Sequence, residues 1–191
     1  WQGVSERSSF LFSVFSDPAV TSVHPDTLSR GVITVVDVYG AGYGAFVNSC
    51  WFGNAVFVGE VVTDQHMRCA LVSASTGVFG VHVGNQDGAY STGGTVEVTV
   101  SDPVTVDHLE PSRGPTSGGI VTVFGSNFAR TSLLSCRAGD VEVVGSFVTS
   151  TAISCLLPSR FSGNVSLDVS NNGVDYSNSG VRFEVADLHI D

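Results

Sequence analysis

Four cysteines are the residues of this chain whose types and spacing could do covalent chemistry. Cys50 and Cys69 are 19 residues apart, and so are Cys136 and Cys155. These matched pairs predict the disulfides Cys50–Cys69 and Cys136–Cys155, each contributing about 3 kcal/mol by closing a loop of that size. Free buried thiols are the alternative, because cysteine also packs as a small hydrophobic side chain. A zinc site is disfavoured, since the chain has no C-x-x-C and no histidine at ligand spacing.

Disulfides form and persist in oxidising compartments, so the two pairs predict an extracellular or cell-surface protein of the secretory pathway. Residues 1–10 contain no basic segment of a signal peptide, and any such signal is expected to have been removed or to lie outside this sequence. No apolar run approaches the roughly 18 residues that a membrane span needs. We therefore expect no direct membrane insertion by this segment.

The composition excludes several classes of partner and chemistry. The formal net charge of −10 disfavours nucleic acid, because a phosphate backbone would be repelled. All eight basic residues are arginine, which excludes a P-loop lysine and a lysine Schiff base. With 42% hydrophobic residues, the chain is too apolar to be disordered.

The glycine-rich stretch Gly40-x-Gly42-x-Gly44 follows a predicted strand, as in dinucleotide-binding folds. That chemistry requires a following helix whose N-terminus meets the pyrophosphate. The sequence continues instead as FVNSC at positions 46–50, which does not favour a helix. A flexible β-turn is therefore expected, and no cofactor is predicted.

No catalytic or metal-binding residues are predicted elsewhere. None of the five histidines recurs at the repeat offset, no G-x-S-x-G elbow is present, and the acidic residues are not paired as in glycosidases. Calcium requires clustered oxygen ligands, whereas the predicted junctions offer only Ser16-Asp17, Ser101-Asp102 and Asp107 or Glu110. We predict that the chain is not an enzyme.

The cysteine pairs belong to a repeat with a period of 86 residues, which also relates Pro25 to Pro111 and Tyr90 to Tyr176. Self-similarity at one fixed period marks tandem structural units. The repeat predicts two domains, at residues 18–102 and 103–187. Residues 1–17 would hold the last strand of a preceding repeat or a donated strand, and residues 188–191 would start the next linker.

Each unit has the two-residue periodicity of strands, as in the alternation of Ile120, Thr122 and Phe124 with their neighbours. The last hairpin is expected to turn at Asn171-Asn172-Gly173 and to resume by Tyr176, since Asn-Gly between alternating strands indicates a tight hairpin. Short strands with frequent turn signals predict an all-β fold of two tandem immunoglobulin-like β-sandwiches. The short cysteine separation predicts that each disulfide joins neighbouring strands near one edge.

An additional N-terminal strand is predicted from a segment that aligns with the last strand of each repeat. Its residues are Phe10, Leu11, Phe12, Val14 and Phe15. This assembly strand is apolar on both faces and needs a partner. Either it belongs to a longer array, or it completes a neighbouring molecule by β-augmentation and so builds a head-to-tail fibre. The predicted partners are neighbouring immunoglobulin-like repeats of the same or another copy of the protein.

Together these motifs resemble the IPT/TIG family of immunoglobulin-like domains, of the E-set type. The resemblance is carried by Pro111, by the sequence GGIVTVFGSNF at 118–128, by C-x-x-G from Cys136, and by NG-x-x-YS from Asn172. It covers residues 18–187, although the first repeat departs from the pattern with one glycine where two are usual and with the extra Gly44. The family implies a stacked immunoglobulin-like fold, as in plexin-like receptors, and no conserved catalytic residue.

Asn164-Val165-Ser166 is the sequon of the chain, and Asn164 is predicted to face outward and to be glycosylated in a secreted eukaryotic protein. Asn48-Ser49-Cys50 is the rare cysteine variant and is expected to be silent.

These features predict a non-enzymatic extracellular structural or adhesive module, a segment of a tandem array or fibre on a cell surface. Two alternatives stay open. One is a ligand- or carbohydrate-binding receptor segment, with Trp51, Phe52 and Tyr43 either forming an aromatic platform for glycans or packing in the core. The other is a pair of accessory domains of a secreted enzyme.

Overall fold

A computed structural model describes residues 17–44, 47–85, 95–159 and 161–186. Every regular element within these ranges is a β-strand, so the predicted all-β class is confirmed. None of the described residues forms a helix long and apolar enough to cross a membrane. The predicted assembly strand, Phe10–Phe15, lies outside the described residues.

Eight strands form the first unit, and their hydrogen-bond ladder runs in the order β1-β3-β6-β5-β4-β7-β8-β2. Buried and exposed side chains alternate along them, as the two-residue period of a strand requires; in β3, for example, Val36 and Val38 are buried and Tyr39 is exposed. The strands are β1 Ala19–His24, β2 Thr27–Ser29, β3 Thr34–Ala41, β4 Ser49–Phe52, β5 Ala55–Thr63, β6 His66–Leu71, β7 Gly77–Gly84 and β8 Val96–Ser101.

The second unit repeats this arrangement strand for strand. Its ladder runs β9-β11-β14-β13-β12-β15-β16-β10, which is the order of the first unit with each number raised by eight. The predicted repeat is therefore a repeat of topology as well as of sequence. The strands are β9 Thr105–Glu110, β10 Arg113–Gly114, β11 Gly119–Ser126, β12 Ser135–Ala138, β13 Val141–Thr149, β14 Ala152–Leu157, β15 Gly163–Ser170 and β16 Arg182–Val185.

The ladder of each unit folds into two facing layers at one long strand. In the first unit, Ala55–Val58 of β5 pairs with β4, whereas Gly59–Thr63 pairs with β6. In the second unit, β13 passes from β12 to β14 in the same way at Gly145. Side chains from both layers then form one buried core per unit, which is the two-layer arrangement of an immunoglobulin-like sandwich.

The structure contains the two disulfides Cys50–Cys69 and Cys136–Cys155, each with a Cα–Cα distance of 6.3 Å. Cys50 lies on β4 and Cys69 on β6, the two strands that flank β5. The expectation that each bridge joins neighbouring strands is wrong, because these strands belong to different layers and pair with β5 rather than with each other. A short sequence separation can connect the layers because β5 itself crosses between them.

The glycine and aromatic positions shared by the repeats have a common structural role. In the second unit, a Cβ on Gly125 would overlap the carbonyl of Thr105 and approach Phe128 Cζ at 3.0 Å. In the first unit, Gly40 meets the carbonyl of Ala19 and the hydroxyl of Tyr43 in the same way. Each glycine therefore lets the first strand of its unit approach β3 or β11 closely, at an irregularity in the pairing. The Gly40-x-Gly42-x-Gly44 stretch lies at this strand end, and the next element is the strand β4.

The predicted hairpin at the end of the second unit is present, since β15 pairs antiparallel with β16, but the connection between the strands is longer than a tight turn. β15 ends at Ser170 and β16 begins only at Arg182, so residues 171–181 form a long loop. Within the loop, Asn172 Oδ1 accepts hydrogen bonds from the backbone amides of Val174 and Asp175, at 3.0 and 2.8 Å. The Asn-Gly sequence therefore organises a loop that projects from the sandwich instead of closing two strands directly.

Candidate functional site: the junction between the two units

The chain passes from one unit to the next with very little free length. β8 ends at Ser101, and β9 begins at Thr105 after Asp102, Pro103 and Val104. A residue that precedes proline is restricted to extended conformations. Asp102 is also held by an ion pair with Arg30, at 2.6 Å, in which both side chains are about half exposed. The covalent link between the units is therefore short and locally constrained.

The loop of the second unit reaches back to the first unit beside this linker. Asn172 Nδ2 donates a hydrogen bond to the carbonyl oxygen of Thr27 at 3.0 Å. Thr34 Oγ1 donates to Asp175 Oδ2 at 2.7 Å. Asn172 Nδ2 also donates to the same carboxylate oxygen at 2.8 Å. We call these four residues, Thr27, Thr34, Asn172 and Asp175, the junction latch.

Two of the four latch residues, Thr34 and Asn172, are shielded from water. Thr34 is 1% exposed and Asn172 is 3% exposed, although both are polar. Polar groups that are buried in this way lose stability unless they are hydrogen-bonded. Hydrogen bonds to a charged group contribute about 1.5–3 kcal/mol each, so the contact of Thr34 with Asp175 is expected to contribute to the link between the units.

A cavity of about 300 Å³ lies at the junction beside the directed polar contacts of the latch. Its lining comes from both units: Ser29, Val32, Pro103, Val104, Asp175, Tyr176 and Ser177.

Of the junction residues weighed as calcium ligands, Asp102 pairs with Arg30 instead. Among the described residues, no group of three or more histidine, cysteine, aspartate or glutamate side chains is placed to hold a metal ion.

The aromatic residues weighed as a glycan platform do not form one. Tyr43 is 1% exposed and Phe52 is 3% exposed, so both belong to the core. Burial also raises the pKa of the Tyr43 hydroxyl to about 12. Trp51 is half-buried on β4 and lines a cavity of about 200 Å³ with Gly53, Asn54 and His82.

Asp37, His66 and Arg68 form a charged cluster on the outer face of the first unit. His66 Nε2 and Arg68 Nε lie 2.7 and 3.3 Å from Asp37 Oδ1. Burial raises the pKa of Asp37, but the hydrogen bonds and charges of His66 and Arg68 outweigh it and hold the pKa below its ordinary value.

The cluster predicts a specific acid sensitivity. A carboxylate whose pKa is lowered by folding stabilises the fold above its unfolded pKa of about 3.9 and loses this effect as the pH falls through the folded value. Asp37→Asn should therefore destabilise the first unit at pH 7 but not at roughly pH 2. Denaturant unfolding at both pH values measures this, and an equal destabilisation at both would refute the role of the charge.

The described residues form two successive immunoglobulin-like sandwich units, each with its own disulfide and joined by a three-residue linker. The model of the IPT/TIG domain family matches residues 103–185, which contain all eight strands of the second unit. IPT/TIG domains are non-catalytic immunoglobulin-like modules. The match covers one unit, and the first unit shares its strand order.

Solved structures show the same fold. The extracellular region of plexin A4 aligns with 97% of this chain at 19% identity and a TM-score of 0.59. A second plexin A4 structure aligns with 96% of it at 19% identity and a TM-score of 0.53. The chain spans only 17% and 20% of those two plexin chains.

The structural similarity to a glycan-binding protein is weaker. SGBP-B of Bacteroides ovatus, in complex with a mixed-linkage heptasaccharide, aligns with 90% of this chain and 46% of its own, at 18% identity and a TM-score of 0.39. This similarity carries no functional argument. No curated protein matches the chain by sequence.

The latch was not predicted from the sequence, although a turn was predicted at the position of its loop. The sequence Asn172-Gly173 was assigned to a tight turn, for which Asp175 and Thr34 had no role. The available signal was the pair of adjacent asparagines, Asn171 and Asn172, since asparagine side chains bond neighbouring backbone groups in loops. Nothing in the sequence pointed to Thr34 as the partner in the other unit.

Proposed function

We propose that this chain is a non-enzymatic extracellular structural module, a segment of a tandem immunoglobulin-like array on a cell surface. Its work is to set two sandwich units end to end at a fixed angle and so to hold other parts of the protein apart. The neighbouring partners would be further immunoglobulin-like repeats of the same or another copy. The observation that carries the proposal is the junction latch with its short proline linker.

A fixed angle between the units requires that opening the junction cost free energy. Domain interfaces of modest size usually permit relative motion. Here, rotation of one unit against the other would expose Thr34 and Asn172 and separate Asp175 from Thr34. A loss of about 1.4 kcal/mol changes an equilibrium tenfold, so the latch is strong enough to favour one orientation.

Two further features support an extracellular structural role. Each unit carries one disulfide, as small secreted domains commonly do. Each core is also built around its own cysteine pair, since all four cysteine side chains are at most 1% exposed. Such units resist unfolding individually, which suits a module that transmits position or force.

Thr34→Val tests the proposal, because valine has nearly the shape of threonine but lacks the hydroxyl that donates to Asp175. We expect both units to remain folded and the angle between them to become variable. Small-angle X-ray scattering of the whole chain should then show a wider range of molecular dimensions than for the wild type. Thr122→Val is the matched control, since Thr122 lies within β11, where its neighbours Glu110 and Ser154 both belong to the second unit.

Scattering curves that are identical for wild type and Thr34→Val would count against a fixed junction. So would a Thr122→Val variant that broadens the dimensions to the same extent, because the effect would then reflect general loosening. Circular dichroism of each variant separates a change of angle from a loss of fold.

A receptor segment that binds carbohydrate on an aromatic platform has less support, because two of the three aromatic residues weighed for that platform are in the core. An accessory role beside an enzyme would use the same rigid junction, so it differs from the proposal only in what the module holds.

A further inference from the structure

Asn164 stands at the start of β15, on the outside of the second unit. It is exposed, whereas the next residue, Val165, packs against the core of the unit. Neighbouring side chains of a strand point to opposite faces, so Asn164 and Ser166 share the outward face. Both residues that a glycosylation sequon requires are therefore on the accessible side of the strand.

The surroundings of Asn164 leave room for a large polar substituent. The preceding residue, Gly163, has a φ of 70° and no atom within 4 Å of the place where a Cβ would stand. The residue opposite Asn164 on β16 is Glu184, which is exposed, and the residue opposite Glu184 on β10 is the exposed Arg113. A sugar attached here would cover charged, solvated groups and would displace no apolar contact.

We propose that Asn164 carries an N-linked glycan in the secreted protein. The first unit shows what the glycan would change, because its equivalent residue is Val78, which has the same place in β7 and is 58% exposed. The two units then present different surfaces on the same face: an open apolar position in the first and a hydrated sugar in the second. The glycan would keep this face of the second unit from lateral contact with other sheets.

The inference rests on the extracellular placement in the proposed function. Asn164 is not part of the junction latch and lies at the opposite end of β15 from the loop 171–181, so a glycan would leave the latch intact. Asn48 begins the cysteine variant of the sequon, Asn48-Ser49-Cys50. The third residue of this variant, Cys50, is in a disulfide with Cys69, and Ser49 is 0% exposed, so the second and third residues of this sequence are not accessible in the folded unit.

The test is expression of the whole chain as a secreted protein in eukaryotic cells, followed by intact mass measurement and peptide-N-glycosidase F in ¹⁸O water. We expect a glycan-sized mass increment that the enzyme removes, with the isotope label at position 164. Asn164→Gln and Ser166→Ala should abolish the increment. Ser166→Thr should retain it, and the matched control Asn48→Gln should leave it unchanged.

The outcomes separate this inference from the proposed function. A secreted, disulfide-bonded wild type with unmodified Asn164 overturns the glycan and leaves the structural module intact. An increment that survives Asn164→Gln also overturns it. A chain retained in the cytosol with free thiols contradicts both the glycan and the extracellular role.

Discussion

Replacing Cys136 and Cys155 together by alanine is expected to destabilise the second unit by about 3 kcal/mol, the contribution of a loop of this size. The loop that this disulfide closes contains β13, the strand that crosses between the layers. Without the bridge, the unfolded chain gains freedom, and the two buried sulfur positions lose packing. Cys50→Ala with Cys69→Ala should have the same effect on the first unit.

The two units can be followed separately in this experiment. The two tryptophans of the chain are Trp1 and Trp51, and the second unit has none. In a Trp1→Phe background, tryptophan fluorescence therefore follows the first unit through Trp51, whereas circular dichroism reports on both units. The Cys136/Cys155 variant should unfold earlier in guanidinium by circular dichroism while the Trp51 signal keeps its midpoint. Unchanged stability in both signals would show that the bridges have no structural role.

Gly125→Ala is expected to destabilise the second unit by about 3 kcal/mol or more, at the upper end of the usual cost of overpacking. The added methyl group would overlap the carbonyl oxygen of Thr105 and press on Phe128. Backbone atoms cannot move aside like a flexible side chain, so β9 must separate from β11.

Gly119→Ala is the control, because Gly119 lies on the same strand and has no atom within 4 Å of the added methyl group. It should be neutral in the same denaturant titration, and Gly40→Ala should reproduce the effect of Gly125→Ala in the first unit. Equal midpoints for Gly125→Ala and Gly119→Ala would show that the close approach of β9 does not constrain the fold.

The features that could be predicted from the sequence are those that depend on residues of one unit alone or on a comparison of the two units. Alternating side chains such as Ile120, Thr122 and Phe124 define strands locally, and the 86-residue period compares one unit with the other. The cysteine pairs follow from the same comparison. The role of the disulfide between layers did not follow, because nothing in the spacing shows that β5 changes its partner at Gly59.

The junction could not be predicted for a related reason. Thr34 and Asp175 are 141 residues apart, and their contact depends on the angle between two separately folded units. The equivalent of Thr34 in the second unit is Gly119, since both face the last residue of the strand beside them, Leu71 and Leu157. Comparison of the repeats therefore gives no hint that Thr34 is special.

The latch also explains why some positions have different residue types in the two units. Residues that build each sandwich, such as Gly40 and Gly125 or Cys50 and Cys136, keep their types. Residues that meet the other unit, such as Thr34 and Asp175, need match only each other. A module of an array requires this division, since every unit must fold alike while its two ends differ.

The most direct test of a fixed junction is the distance between spin labels in the two units of the wild-type chain. Val58 and Val144 suit this measurement, being 73% and 80% exposed, with labels introduced through non-cysteine residues to spare the disulfides. Pulsed electron–electron double resonance should give one narrow distribution of distances between the two labels in the wild type. The distribution should become broader in Thr34→Val. A wild-type distribution as broad as that of the variant would contradict the account.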